Sequence, residues 1–212
     1  MNNKDKIVIF GAGGHGKVVL DILSEMGADV IGFIDDDKRK KSTKISGVEV
    51  LGDLSTVKNR NLKVALGIGD NIARCKVFKK AQALGLKMAS AIHPKAVVSQ
   101  DAQIKEAVVI MPGAVVNAGA ILEDGAVVNT AATVDHDCRL ERFCQVWPGA
   151  HLAGNVRVGE FSYVGTGASV IQNIRIGKNV MIGAGAVVVR DVPDDVTAVG
   201  VPARVLQDKR NG

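Results

Sequence analysis

Seventeen positions spaced six residues apart, from Ile92 to Val188, all hold Ile, Val or Leu. The positions four further on, from Ala96 to Val192, hold only Ala, Val, Ser, Cys or Ile. A repeat of this length outranks every local propensity, because each unit must be a copy of one structural step. It reads as a parallel β-helix with three flat faces, six residues per face and 18 per turn. The aliphatic residue of each hexad points inward, and the small residue four places on fills a corner too crowded for a large side chain. Coils stacked at the strand spacing of about 4.8 Å make nearly six turns a prism roughly 28 Å long. No insertion interrupts the run, and Pro202, within Val199–Arg204, helps end the regular hydrogen bonding.

Composition agrees with a column built in thin layers. Aromatics make up 3% of the chain against 47% hydrophobic residues, so the core is filled by Val, Ile, Leu and Ala. The net charge is +5, and its one dense basic run is Lys38, Arg39, Lys40, Lys41 and Lys44. No aromatic is interleaved there to stack on bases, so the run reads as a solvated loop and nucleic acid is not an expected partner. Three cysteines, Cys75, Cys138 and Cys144, form neither a C-x-x-C pair nor an even set, which argues against disulfides and zinc. Cys138 and Cys144 fall on the small corner position. No signal-peptide pattern and no apolar run of membrane-spanning length occur, so a cytoplasmic protein without membrane partners is expected.

Before the repeat, the pattern alternates strand and helix, as in a Rossmann-like α/β unit. Lys6–Phe10 reads as a strand, 17–26 as a helix closed by Gly27, and Val30–Ile34 as a second strand. Val48–Leu51 reads as a short extra strand, 63–68 as the next, Ile72–Leu84 as a helix, and 86–92 as a last strand. The expected division is 1–90 for this unit and 91–212 for the β-helix.

Gly11, Gly13 and Gly16 spell G-x-G-x-x-G between strand and helix, with Asp35 about twenty residues on. Backbone N–H groups at such a helix N-terminus hold a diphosphate. That leaves three readings: a nucleotide sugar, a dinucleotide, or a purely structural turn. In the repeat, His136 lies two positions after inward-pointing Val134 and should face outward. Imidazole has the pKa of a base at neutral pH, and Asp137 beside it is placed to fix its tautomer. Asp135 is a second candidate for that task.

The hexads, Gly11–Gly16 with His15 inside, Asp35-Asp36, Met111-Pro112-Gly113, Asn129-Thr130, His136-Asp137 and Val199–Ala203 together resemble a family of bacterial hexapeptide-repeat acyltransferases. This is the sialic acid O-acetyltransferase and nucleotide-sugar N-acetyltransferase family. The resemblance covers nearly the full chain. It implies a left-handed β-helix behind a Rossmann-like domain, acetyl-CoA as donor, and a homotrimer with donor grooves between subunits. The implied reaction is N-acetylation of a nucleotide-linked 4-amino-4,6-dideoxy sugar in bacterial glycan synthesis. By resemblance, Gly13, Gly14 and His15 hold the diphosphate, Asp35 and Asp36 face base or ribose, and Gly69 lines the same edge. His136 with Asp137 is the implied catalytic pair, and Asn129 orients the acceptor amine. Gln145 stands where relatives often carry a second histidine against acetyl-CoA. Gly154, Thr166 and Ala184 match positions along the pantetheine.

Two other activities stay open: O-acetylation of sialic acid, and a non-catalytic or NAD-dependent nucleotide-binding protein. Zinc-dependent hydratases share the β-helix, but they use three histidines, two of them five residues apart. Here His93, His136 and His151 are separated by 43 and 15 residues, so no metal site is expected.

Overall fold

The computed structural model describes residues 5–58 and 61–206. Residues 1–4, 59–60 and 207–212, which include both outer ends of the expected 1–90 and 91–212 units, lie outside the described residues.

The first unit is a four-stranded parallel sheet in the order β2-β1-β5-β6, from β1 (Lys6–Phe10), β2 (Asp29–Ile34), β5 (Lys63–Leu66) and β6 (Lys87–Ala89). Helix α1 (Gly14–Glu25) connects β1 to β2, and α2 (Asn71–Ala83) connects β5 to β6. The helix expected from residue 17 thus begins three residues earlier, with His15 and Gly16 in its first turn. Asp70 caps α2 by accepting from the Ala73 amide at 2.7 Å, supplying a partner to an otherwise orphaned N–H. The extra strand at Val48 is half of a small antiparallel pair, β3 (Lys44–Ile45) with β4 (Val48–Glu49). The expected last strand divides at Ser90: β6 joins this sheet, and Ala91–Ile92 opens the first coil.

From there the chain winds in three parallel sheets whose partners are 18 residues apart, as Val109 with Val127 and Gln145 with Tyr163, until the last coil shortens to 16, with Met181 against Thr197 and Ile176 against Val192. The first face carries the pairs from Ala91–Ile92 to Met181–Ile182, the second from Val97–Val98 to Val187–Val188, and the third from Gln103–Ile104 to Arg175–Ile176. Ile110, Val116, Leu122, Val128, Val134 and Leu140 are fully buried in one continuous core, with Ala114, Ala120 and Ala126 between them. Cys138 and Cys144 lie in the same core.

The corners have a rule of their own. Every sixth residue from Ala107 to Gly185 has a positive φ, so over that span each turn between faces uses a left-handed residue. Gly, Asn and Asp tolerate that conformation best, which accounts for Gly113, Gly119, Asp137 and Asn155 there. The left-handed residues fall into three edges. Ala107, Gly125, Phe143 and Phe161 are on the first; Gly113, Ala131, Gly149 and Gly167 on the second; Gly119, Asp137, Asn155 and Asn173 on the third.

The α/β unit docks on the first edge and first face. Phe78 of α2 meets Phe143 edge-on at 5.3 Å, and Phe143 stacks on Phe161 at 6.0 Å. Val19, Ile22 and Leu23 of α1 share a core with Ala91, Val109 and Val127. The scarce phenylalanines are therefore used in the α/β unit and this seam, and none in the column's interior.

Candidate active site

The glycine-rich turn contains glycines of two kinds. A Cβ on Gly11, whose φ is +108°, would stand 2.6 Å from the Gly67 carbonyl oxygen, and one on Gly16 would overlap the Gly11 carbonyl. These two allow strand and helix to meet closely. Gly13 and Gly14 are exposed, with nothing within 4 Å of a Cβ built on either, so the backbone there is open to a ligand.

His15 follows at the start of α1. Its Nε2 is buried with no hydrogen-bond partner in the chain. Burial, and then the positive charge of Arg74, lower its pKa to about 4, so the ring is neutral at pH 7. Asp35 is more occupied than the sequence suggests. Its carboxylate accepts from the Ala12 amide at 2.9 Å, the Asp37 amide at 2.9 Å and Lys40 Nζ at 2.8 Å. Burial opposes its ionisation, but Lys40 and the two amides outweigh it and hold the pKa below the usual carboxylate value. Asp35 thus ties the end of β2 to the glycine turn. Beside it lies a cavity of about 220 Å³ lined by Lys38, Lys41, Gly52, Asp53 and Thr56. Part of the basic run read as a solvated loop therefore pairs with Asp35 or lines this cavity. Asp36 is exposed, 3.5 Å from Lys80 Nζ.

His136 is 61% exposed on the third edge, outward as its hexad position predicts. Its Nδ1 lies 2.9 Å from Asp137 Oδ2, and its backbone N–H donates to Asp135 Oδ1 at 2.7 Å. The left-handed backbone at Asp137, φ +58°, accompanies this contact between neighbouring side chains. The hydrogen bond to Asp137, offset in part by desolvation and helped by the Asp135 charge, raises the imidazole pKa. With Nδ1–H donated to Asp137, Nε2 is the free basic atom. Asp135 itself accepts from Asn117 Nδ2 at 2.8 Å, so it orients the turn and leaves the ring to Asp137. Gly154, one coil on, lies directly against the ring: a Cβ there would overlap Cε1 and Nε2.

Within one chain the candidate residues stand in separate places. Asn129, whose Oδ1 accepts from the Thr130 amide at 2.8 Å, Thr166 and Ala184 belong to the second edge. Gln145 is on the first face, 4% exposed, with its Oε1 unpartnered. His136 and Gly154 are on the third edge. Among the described residues no group of His, Cys, Asp and Glu is arranged to hold a metal ion, and no helix is long and apolar enough to cross a membrane.

The seam between the α/β unit and the coils carries no signal in the sequence. Arg74 of α2 is fully buried and bonds to Gly125 O at 2.9 Å and Phe143 O at 3.1 Å. Asn71 donates through Nδ2 to Phe161 O at 2.9 Å, and its backbone N–H donates to the Tyr163 hydroxyl at 2.8 Å. An arginine and an asparagine in the first turn of a helix carry no mark of burial in sequence.

The family model described as the PglD N-terminal domain matches residues 6–81. Three solved structures match almost end to end. The acetyltransferase domain of PglB from Neisseria gonorrhoeae, in complex with acetyl coenzyme A, is 42% identical with a TM-score of 0.90, covering 96% of this chain and 100% of that one. PerB from Caulobacter crescentus, in complex with CoA and GDP-perosamine, is 42% identical with a TM-score of 0.91, covering 95% and 97%. WeeI from Acinetobacter baumannii is 27% identical with a TM-score of 0.87, covering 96% and 100%. Full-length identity at this level carries both the α/β unit and the β-helix together: the chain belongs to the nucleotide-sugar N-acetyltransferase family.

Proposed function

We propose that this protein transfers the acetyl group of acetyl-CoA to the amine of a nucleotide-linked 4-amino-4,6-dideoxy sugar. The observation that carries this is the exposed His136–Asp137 pair against Gly154, on a chain that shares 42% identity with a perosamine N-acetyltransferase holding CoA and GDP-perosamine. The neutral amine attacks the thioester carbonyl carbon, and His136 Nε2 takes the proton the nitrogen sheds. The tetrahedral adduct then breaks its C–S bond, and the departing CoA thiolate receives that proton. Amide and free CoA result, with no covalent enzyme intermediate. Holding both substrates together supplies much of the rate.

In this reading residues 1–90 hold the acceptor and 91–212 the donor. Gly13, Gly14 and His15 receive the diphosphate, and Asp36, Gly69 and the cavity beside Asp35 receive ribose and base. Gly154, Thr166 and Ala184 line the acetyl-CoA path, and Asn129 orients the amine; Gln145, covered on the first face, lies apart from that path. The spacing of the edges supports a trimer. Gly154 and His136 are separated from Thr166 and Ala184 by the second face, so one groove has both only if the third edge of one subunit meets the second edge of another. That intervening face presents Val97, 63% exposed, and Val115. Both proposed substrates are cytoplasmic metabolites, and the cytoplasm is the compartment proposed.

Acetyl transfer assayed against UDP-, dTDP- and GDP-linked 4-amino sugars and against sialic acid tests the reading. Turnover of a nucleotide-linked amine is expected; activity on the sialic acid hydroxyl alone overturns it. Sedimentation equilibrium tests the trimer, and a monomer with full activity would remove the shared groove.

A further inference from the structure

Arg74 is the bulkiest fully buried side chain among the described residues, and its surroundings are unusual for a buried cation. Removing a guanidinium from water is costly unless a carboxylate or equivalent charge accompanies it. Here its donors reach five oxygens: Asn71 Oδ1 at 2.6 Å, Gly125 O at 2.9 Å, and the carbonyls of Ile68, Gly69 and Phe143 at 3.1 Å each. All five are neutral. The hydrogen-bonding capacity of the guanidinium is met, while no carboxylate touches it. Of the acids, Asp70 acts on it through space, but that carboxylate is exposed and caps α2 at Ala73. The other titratable groups that interact with it are Cys75 on its own helix, Cys144 and Tyr163 on the coils, and His15 at the start of α1.

Two of the carbonyls it holds, Ile68 and Gly69, lie in the loop just past β5, where Gly67 and Ile68 approach Gly11 of the glycine-rich turn. On that turn His15 has a buried Nε2 with no partner from the chain, and the Arg74 charge adds to burial in disfavouring its protonated form. A buried cation with no carboxylate in contact and an unpartnered imidazole nitrogen are thus both tied to the glycine-rich turn that presents Gly13 and Gly14.

We propose that Arg74 is the buried counter-charge of the acceptor's diphosphate, fixed behind the glycine-rich turn by neutral oxygens and completed electrostatically only when substrate binds. This rests on the diphosphate occupying Gly13–His15, as in the reading above. Arg74 is then a positioning residue with two tasks. It fixes the loop just past β5 against the coils, and it places a positive charge that the diphosphate feels without touching it.

The test compares affinities of UDP, GDP and dTDP with those of uridine, guanosine and thymidine, by calorimetry on wild type, Arg74→Lys and Arg74→Gln. Arg74→Gln is expected to weaken the nucleoside diphosphate that wild type binds by about tenfold. Nucleoside and acetyl-CoA binding should be unchanged, and Arg74→Lys should keep most of the diphosphate affinity. Equal losses for nucleoside and diphosphate would make Arg74 merely structural and overturn the proposal, as would no loss at all. Should Arg74→Gln fail to fold, Arg74→Lys decides, because it keeps the charge and gives up most of the five hydrogen bonds. Diphosphate affinity within about threefold of wild type is expected, and a loss of about tenfold or more overturns the proposal. Wild type that binds nucleosides but none of the diphosphates would instead overturn the acceptor-site reading itself.

Discussion

The ring of His136 and the backbone of Gly154 occupy one space: a β-carbon on Gly154 would overlap both Cε1 and Nε2 of the imidazole. The two residues are 18 apart, one coil above the other, so the helical register itself puts a glycine where the ring lies. The Nδ1 side of the ring is held by Asp137 at 2.9 Å. A base fixed at one nitrogen and bounded by a bare backbone at the other is positioned without being enclosed.

Gly154→Ala therefore separates positioning from folding. The clash falls on the far end of a flexible side chain, so the ring moves and the coil stays. The expected result is an unchanged melting temperature and a kcat lowered by about tenfold to a hundredfold, since small displacements of a catalytic group are costly. Full activity would show that the observed ring position is not the working one.

His136→Ala should lose about 10²- to 10⁴-fold in kcat, the range of a single general base, while keeping acetyl-CoA affinity. Steady-state kinetics alongside calorimetric binding check both halves.

The pH profile should reveal the aspartate. The Asp137 hydrogen bond raises the His136 pKa above its ordinary 6.5. Only the neutral ring accepts a proton, so kcat should climb with pH through that raised value. Asp137→Asn removes support for the imidazolium. The acid limb should then move to lower pH, and the plateau should fall because the base is weaker. A limb that stays in place would mean another group titrates.

The two kinds of glycine in the first turn should respond in opposite ways. Gly16→Ala drives a methyl into the Gly11 carbonyl and should destabilise the fold by on the order of 3 kcal/mol, read by denaturant titration. Gly13→Val meets nothing within 4 Å and should fold normally, yet raise KM for the nucleotide sugar about tenfold or more by crowding the diphosphate.

The cysteines should be inert. Cys138 and Cys144 are buried in the column, and burial pushes the Cys138 thiol up to about 11 and that of Cys144 higher still. Thiol alkylation of the native enzyme, or Cys138→Ala, is expected to leave turnover intact. Rapid inactivation would reopen covalent catalysis.

The β-helix was legible in the sequence because its physics is local and repeated. A residue's environment is set by its place in the hexad and by neighbours 18 positions away, so inward Val134, outward His136 and the buried corner Cys138 follow from counting. The left-handed corner column is only partly countable, because Gly, Asn or Asp fill ten of its fourteen places from 107 to 185 while Ala107, Ala131, Phe143 and Phe161 fill the others. What only the tertiary structure decided lies where the non-repeating unit meets the column. Nothing in the hexads says that Arg74 and Asn71 reach the carbonyls of Gly125, Phe143 and Phe161, or that Gln145 is covered. Nor does the motif around Asp35 say that its carboxylate is engaged by Ala12, Asp37 and Lys40. Those contacts depend on how a helix end and a loop are carried in space by a fold with no period, and a residue's place in the chain then no longer determines its neighbours.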